Sequence, residues 1–199
     1  MICCNSIEQT CSLQVSMEIS AEGSDIFSFQ LFDPALCRQT ISGLASVTQW
    51  SAGNIIVPAS NSPSGKPEVR RVAECGIGAS AELAKVWHQR LATTVAPVAM
   101  LCFRYAIADA QMAAKLLRYE RGGFYKLHFD LARPLPRLLS LICYLNDDYV
   151  GGETSFLRQN VTIKPKPGMA ILFPSGVSHI HEAKPVIQGI KYVLSAFFS

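Results

Sequence analysis

The sequence predicts a mainly β domain, an antiparallel barrel or double-sheet jelly roll, braced by helices from its N-terminal part. Three observations carry this expectation. From Lys115 onward, short runs rich in Leu, Ile, Val, Tyr and Phe are broken by Gly and Pro, the grammar of short strands joined by turns. Upstream, two stretches place apolar residues at helical spacing behind good N-terminal caps. The 199 residues are nearly half apolar and 17% charged, a balance that suits one domain with a generous core.

Taken in order, residues 1–20 read as a loosely ordered N-terminal segment that includes Cys3, Cys4 and Cys11, and residues 21–199 as a single domain. Asp33-Pro34 opens a helix: aspartate accepts from free first-turn amides and proline suits the first helical position. Leu36, Thr40, Ile41 and Leu44 follow at helical spacing. Residues 51–67, dense in Gly, Pro, Ser and Asn, read as a long loop of the kind that often carries function. Ser80 precedes a second helix over 81–96, with Leu83, Val86, Trp87, Leu91 and Val95 as its apolar stripe. Residues 108–116 read equally well as loop or helix. Strands are then expected at 138–145, 154–156, 160–163, 169–173 and 192–198. Turns are expected over 146–152 and at Pro167-Gly168.

Composition also excludes. No apolar run approaches the roughly 20 residues that span a bilayer, and the N-terminus lacks a basic segment followed by an apolar one; the expectation is a soluble cytoplasmic protein. The net charge is +3 and the basic residues form no run, which speaks against nucleic acid as a partner. Seven cysteines, an odd number without a Cys-x-x-Cys pair, speak against a disulfide framework or a zinc site. Cys102 and Cys143 lie in apolar runs and read as small hydrophobes.

The chemistry-bearing constellation is His128-Phe129-Asp130. On an extended strand residues i and i+2 face the same way, so an imidazole and a carboxylate approach one point while Phe129 turns into the opposite layer. His181 follows the 169–173 strand and can supply a third ligand, because strands distant in sequence meet in a barrel. Two histidines and one carboxylate on one face leave the opposite positions of an octahedral ion open, which suits iron(II) and oxygen.

The context of these motifs resembles the 2-oxoglutarate- and iron(II)-dependent dioxygenases of the prolyl 4-hydroxylase type. The similarity runs through the blocks 117–130 (Leu-Arg-Tyr-Glu-Arg-Gly-Gly-Phe-Tyr-Lys-Leu-His-Phe-Asp), 142–146, 151–156, 167–173 and 181–193, with weaker likeness upstream. The resemblance implies a double-stranded β-helix (jelly roll) whose metal and cosubstrate core is about 115–199. It implies His128, Asp130 and His181 as Fe(II) ligands and Lys191 as the cation that pairs with the far carboxylate of 2-oxoglutarate. Tyr119 and Tyr144 would line the same pocket, and ascorbate would act as reductant. The ten-residue interval to Lys191 and the following Pro185-Val186 favour His181 over His179 as ligand, leaving His179 to a supporting place or the pocket wall. The implied reaction consumes O2 and 2-oxoglutarate, gives succinate and CO2, and hydroxylates a peptidyl residue or a small organic molecule. Asp130 keeps the carboxylate that halogenating relatives lack. A non-catalytic jelly-roll binding module is the competing expectation. Tyr125 falls on the face opposite His128 if the strand already runs there, and Arg133 and Arg137 read as solvated residues near the mouth.

Overall fold

Alternating burial along the C-terminal strands shows how the chain separates two apolar layers. The computed structural model describes residues 18–53, 66–107, 114–131 and 137–199, and between the first two ranges the backbone of 55–56 and 63–64. Residues 1–17, most of the segment expected to be loosely ordered, and Arg133 lie outside the described residues.

Chain order runs β1 (Ile19–Gly23), β2 (Ile26–Gln30), α1 (Pro34–Leu44), β3 (Ser51–Ala52), β4 (Ile55–Ile56), β5 (Pro63–Ser64), β6 (Arg70–Arg71), β7 (Ala73–Gly76), α2 (Ala81–Arg90), α3 (Ala96–Phe103), β8 (Lys115–Tyr119) and β9 (Phe124–His128). It continues with β10 (Leu139–Tyr144), β11 (Val150–Gly151), β12 (Thr154–Phe156), β13 (Val161–Thr162), β14 (Met169–Pro174), β15 (His181–Ala183), β16 (Val186–Gln188) and β17 (Lys191–Phe198). The large sheet has the order β1-β2-β14-β10-β17-β8-β7-β3, and the smaller one β13-β12-β15-β9-β6. All the strand pairings are antiparallel. Two opposed antiparallel sheets with non-consecutive neighbours are the jelly roll, with helices on one side.

Period-2 alternation assigns each face. On β10, Leu141 and Cys143 join the cluster that also holds Leu83, Trp87, Leu91 and Val98 of the helices. Tyr144 turns instead into the space between the sheets, with Tyr119, Phe156, Phe173 and Val193. The helical layer therefore braces the outer face of the large sheet, and the site lies on its inner face.

The expected caps form: Asp33 accepts from Ala35 N–H at 2.6 Å and Ser80 from Leu83 N–H at 3.4 Å. Three expectations change. The strand β1 takes in Ile19 and Ser20, because residues 19–30 make a hairpin that pairs with β14 at the edge of the large sheet. The second helix does not stop at 96. Residues 91–95 make a π-helical turn, in which Ala96 N–H reaches back to Leu91 O, and α3 continues to Phe103. Pro97, in the first turn of α3, has no N–H to give to the preceding turn, and a local widening lets the helix run on past it. The 51–67 stretch is not all loop, since β3 pairs with β7 and β4 with β5. Among the described residues, no helix is long and apolar enough to cross a membrane.

Candidate metal and cosubstrate site

His128 ends β9 and His181 begins β15, and the two are direct register partners across the small sheet. Asp130 follows two residues after His128, and its backbone N–H donates to Ser175 O at 3.0 Å. One ligand-capable atom from each of the three residues lies within 4.8 Å of the others. His128 Nε2 stands 3.5 Å from Asp130 Oδ1, and His181 Nε2 stands 3.6 Å from Asp130 Oδ2. At this spacing a single cation can reach all three.

The imidazole orientation is fixed from behind. His128 Nδ1 meets Lys126 O at 2.7 Å and His181 Nδ1 meets His179 O at 3.0 Å. A carbonyl only accepts, so each Nδ1 carries the proton and each Nε2 presents a lone pair toward Asp130. Burial pushes the His181 imidazolium down to about 4, against the pull of Asp130; the ring is therefore neutral at pH 7. Burial alone would raise the Asp130 carboxyl, but His181, His128 and the Ser140 hydrogen bond outweigh it and hold the group well below the usual carboxylate range. An ionised carboxylate and two neutral imidazoles are a fitting donor set for a divalent transition metal.

Ser140 Oγ donates to Asp130 Oδ2 at 2.8 Å and contacts Ser175 Oγ at 2.7 Å. Ser140 is buried on β10, so the large sheet steers a residue of the small one. Replacing Ser140 with alanine is expected to weaken metal binding by about 10–100-fold, the usual effect of losing a partner behind a ligand; competition against a calibrated chelator measures it.

Behind the three residues lies a cleft lined by Tyr119, Tyr125, Thr154, Lys191 and Val193, among others. Lys191 is 2% exposed. Its Nζ donates to Gly152 O at 2.7 Å and Thr154 Oγ1 at 3.3 Å. No carboxylate lies within ion-pair distance of it among the described residues, and burial lowers the ammonium to about 7, with Glu153 pulling the other way. A buried cation without an anion is costly, and here it faces a cleft that an anionic ligand can enter. The rings of Tyr119 and Tyr144 each lie 5.4 Å from Nζ. Burial raises the Tyr119 phenol to about 12 and the Tyr144 phenol further still.

Three residues sit differently from expectation, and a fourth, His179, takes one of its two expected places. Tyr125 stacks on His128, with ring centroids 3.4 Å apart and 15° between planes. The register explains it: β15 advances two residues, from His181 to Ala183, while β9 spans three, from His128 to Tyr125. The extra residue is a bulge, and it turns Tyr125 to the same face as His128. His179 does not line the cleft. Its ring is buried between Ser178 Oγ at 2.9 Å and Ser24 O at 3.0 Å, tying the β1–β2 turn to the site, and only its carbonyl reaches His181. Arg137 is half-buried, with its guanidinium 3.8 Å from the Phe197 ring centroid. Phe129 does face away from the site, but that side is solvent rather than a second layer; it is 46% exposed.

Residues 114–199 match the sequence profile described as the 2OG-Fe(II) oxygenase superfamily. The chain is 25% identical over 182 residues to procollagen-lysine,2-oxoglutarate 5-dioxygenase 1 of Mus musculus, covering 87% of this chain and 24% of that protein. It is 24% identical over 182 residues to procollagen-lysine,2-oxoglutarate 5-dioxygenase 2 of Homo sapiens, covering 87% and 23%. The chain thus spans about a quarter of the length of these relatives. Its fold is shared with a Pseudomonas putida prolyl-4-hydroxylase at TM-score 0.70 and 18% identity, covering 87% of this chain and 92% of that one. It is shared also with a Trichoplax adhaerens prolyl hydroxylase solved with a hypoxia inducible factor peptide fragment, at TM-score 0.71 and 19% identity, covering 87% and 83%.

Proposed function

We propose that this chain, whose residues 114–199 belong to the 2OG-Fe(II) oxygenase superfamily, is a dioxygenase that hydroxylates an aliphatic C–H of a peptidyl substrate, with O2 and 2-oxoglutarate as co-reactants. The observation that carries this reading is the convergence of His128, Asp130 and His181 beside a buried lysine with no carboxylate in ion-pair distance among the described residues. The lysyl and prolyl hydroxylases among the similar proteins support a side chain within a peptide as the target.

His128, Asp130 and His181 would hold iron(II), which would supply the oxygen activation when bound. The chain's own residues do the rest. Asp130, held by Ser140, and the two Nδ1-protonated imidazoles present three converging donors that would hold the ion. Lys191 binds the far carboxylate by a charge-assisted hydrogen bond and so sets the direction from which the 2-oxo acid end approaches the metal. Tyr119 and Val193 wall this part of the cleft and exclude water. The competing role, a binding module without chemistry, would leave no reason for the bare Nε2 pair and the unpaired ammonium to share one cleft.

In this reading ascorbate serves as reductant and the protein works in the cytoplasm. Consistent with a reducing compartment, the described cysteines, Cys37, Cys75, Cys102 and Cys143, are all free.

The test is succinate release from 2-oxoglutarate with iron and ascorbate, paired with mass spectrometry of lysyl and prolyl peptides. Gain of one oxygen atom by a peptide is expected, in step with succinate. Succinate formation coupled only to a free amino acid or another small molecule would overturn the peptidyl assignment. No succinate above that of a metal-free sample, across both substrate sets, would overturn the enzyme.

Binding of the cosubstrate analogue N-oxalylglycine should also depend on pH. In the ligand-free protein the Lys191 ammonium is lost as pH rises through about 7, whereas a bound carboxylate restores it. Above pH 7, binding therefore takes up a proton, and affinity falls toward about tenfold per pH unit. Calorimetry at pH 8 in buffers of different ionisation heat reads that proton directly.

A further inference from the structure

Lys191 does not have enough donors to satisfy a carboxylate alone. An ammonium carries three N–H groups, and two of them are engaged by Gly152 O and Thr154 Oγ1. One is left for two carboxylate oxygens, so a ligand there needs other donors.

The turn between β10 and β11 supplies one that the sequence reading passed over. The Tyr149 hydroxyl is buried and has no hydrogen-bond partner among the described residues, whereas the Tyr144 hydroxyl has Thr154 beside it. The Tyr149 ring lies 5.9 Å from Lys191 Nζ, completing a cage with Tyr119 and Tyr144. Burial raises the Tyr149 phenol, and Asp147, Glu153 and Asp148 push the same way, so the group is a neutral donor at pH 7.

Its seat is built by a glycine. Gly152 has φ +67, and a Cβ there would stand 3.4 Å from both Tyr149 Cε2 and Lys191 Cδ, and 2.9 Å from Val186 Cγ2. A bare backbone thus lets the tyrosine and the lysine close on one another.

We propose that Tyr149 is a further cosubstrate-binding residue, donating its hydroxyl with Lys191 and Tyr144 to the far carboxylate of 2-oxoglutarate. The proposal rests on the reading of this cleft as a 2-oxoglutarate pocket. It also explains why the buried Tyr149 hydroxyl has no partner among the described residues: the ligand is its acceptor.

The test compares native protein and Tyr149→Phe, both loaded with Mn(II) in place of iron so that nothing turns over. Calorimetry follows N-oxalylglycine, which carries the far carboxylate, and 2-oxobutyrate, which lacks it. Tyr149→Phe is expected to bind N-oxalylglycine about tenfold or more weakly, from loss of a hydrogen bond to a charged group, and 2-oxobutyrate as native does. The ligand-free variant should melt no lower than native, and up to about 2–4 °C higher, because an orphaned hydroxyl has gone. A residue that merely braces the fold would lower the melting temperature and shift both ligands alike, and that result would overturn the proposal. So would equal N-oxalylglycine affinity in the two proteins. A native protein that binds no N-oxalylglycine at all would remove the pocket reading itself, and the Tyr149 role with it.

Discussion

Replacing His181 with alanine is expected to reduce iron-dependent succinate formation more than about 100-fold, to the level of the metal-free protein. Losing a partner behind a ligand already costs about 10–100-fold in metal affinity or activity, and His181 is placed as a ligand itself. The remaining pair, His128 and Asp130, would have to hold the ion from one strand end. His181 is also 3% exposed and packs its ring against Phe156 and Phe173, with centroids 5.3 and 5.0 Å away. Alanine there leaves a cavity, so His181→Gln is the companion variant: it fills the space and keeps polarity but offers no imidazole. Both variants should lose succinate formation and tight iron binding, read by assay and by metal analysis after gel filtration. Retention of both properties in His181→Gln would move the metal elsewhere.

Lys191→Met is expected to weaken N-oxalylglycine binding by about 30-fold to several thousandfold. Truncating one partner of a buried, hydrogen-bonded charge pair costs about 2–5 kcal/mol, and the ligand's carboxylate would then lie among Tyr119, Tyr144 and Tyr149 without a cation. The metal ligands are untouched, so iron should still bind at native stoichiometry. That separation matters: a fall in analogue affinity with metal intact assigns the lysine to the cosubstrate, and parallel loss of both would point to a collapsed core. Calorimetry on Mn(II)-loaded protein, with metal content measured on the same sample, distinguishes them.

The parts of this architecture that follow local rules were legible in the sequence. The i, i+2 relation of His128 and Asp130 needed only strand periodicity, and Asp33 and Ser80 announced their helices through side chains that cap. What was hidden depends on the register between segments far apart. No local signal marks the bulge that turns Tyr125 onto His128, because it is created by pairing β9 with β15. The partners that fix both imidazoles are backbone carbonyls of Lys126 and His179, and any residue type supplies a carbonyl. His179 had two places open to it in the sequence. It lies two residues before His181 in a 3-10 turn, Val177–His179, where strand periodicity does not hold, and so supports His181 through its carbonyl. Tyr149 gave no sign because an aromatic in a turn is ordinarily a packing residue; only its unpartnered hydroxyl beside Lys191 sets it apart.

The metal assignment to His128, Asp130 and His181 is read from the X-ray absorption spectrum of the protein loaded anaerobically with one equivalent of Fe(II). A first shell of nitrogen and oxygen only is expected, with the scattering of two imidazoles, reduced to one in His181→Gln. A shell containing sulfur, or a two-imidazole signal that survives that substitution, would contradict it.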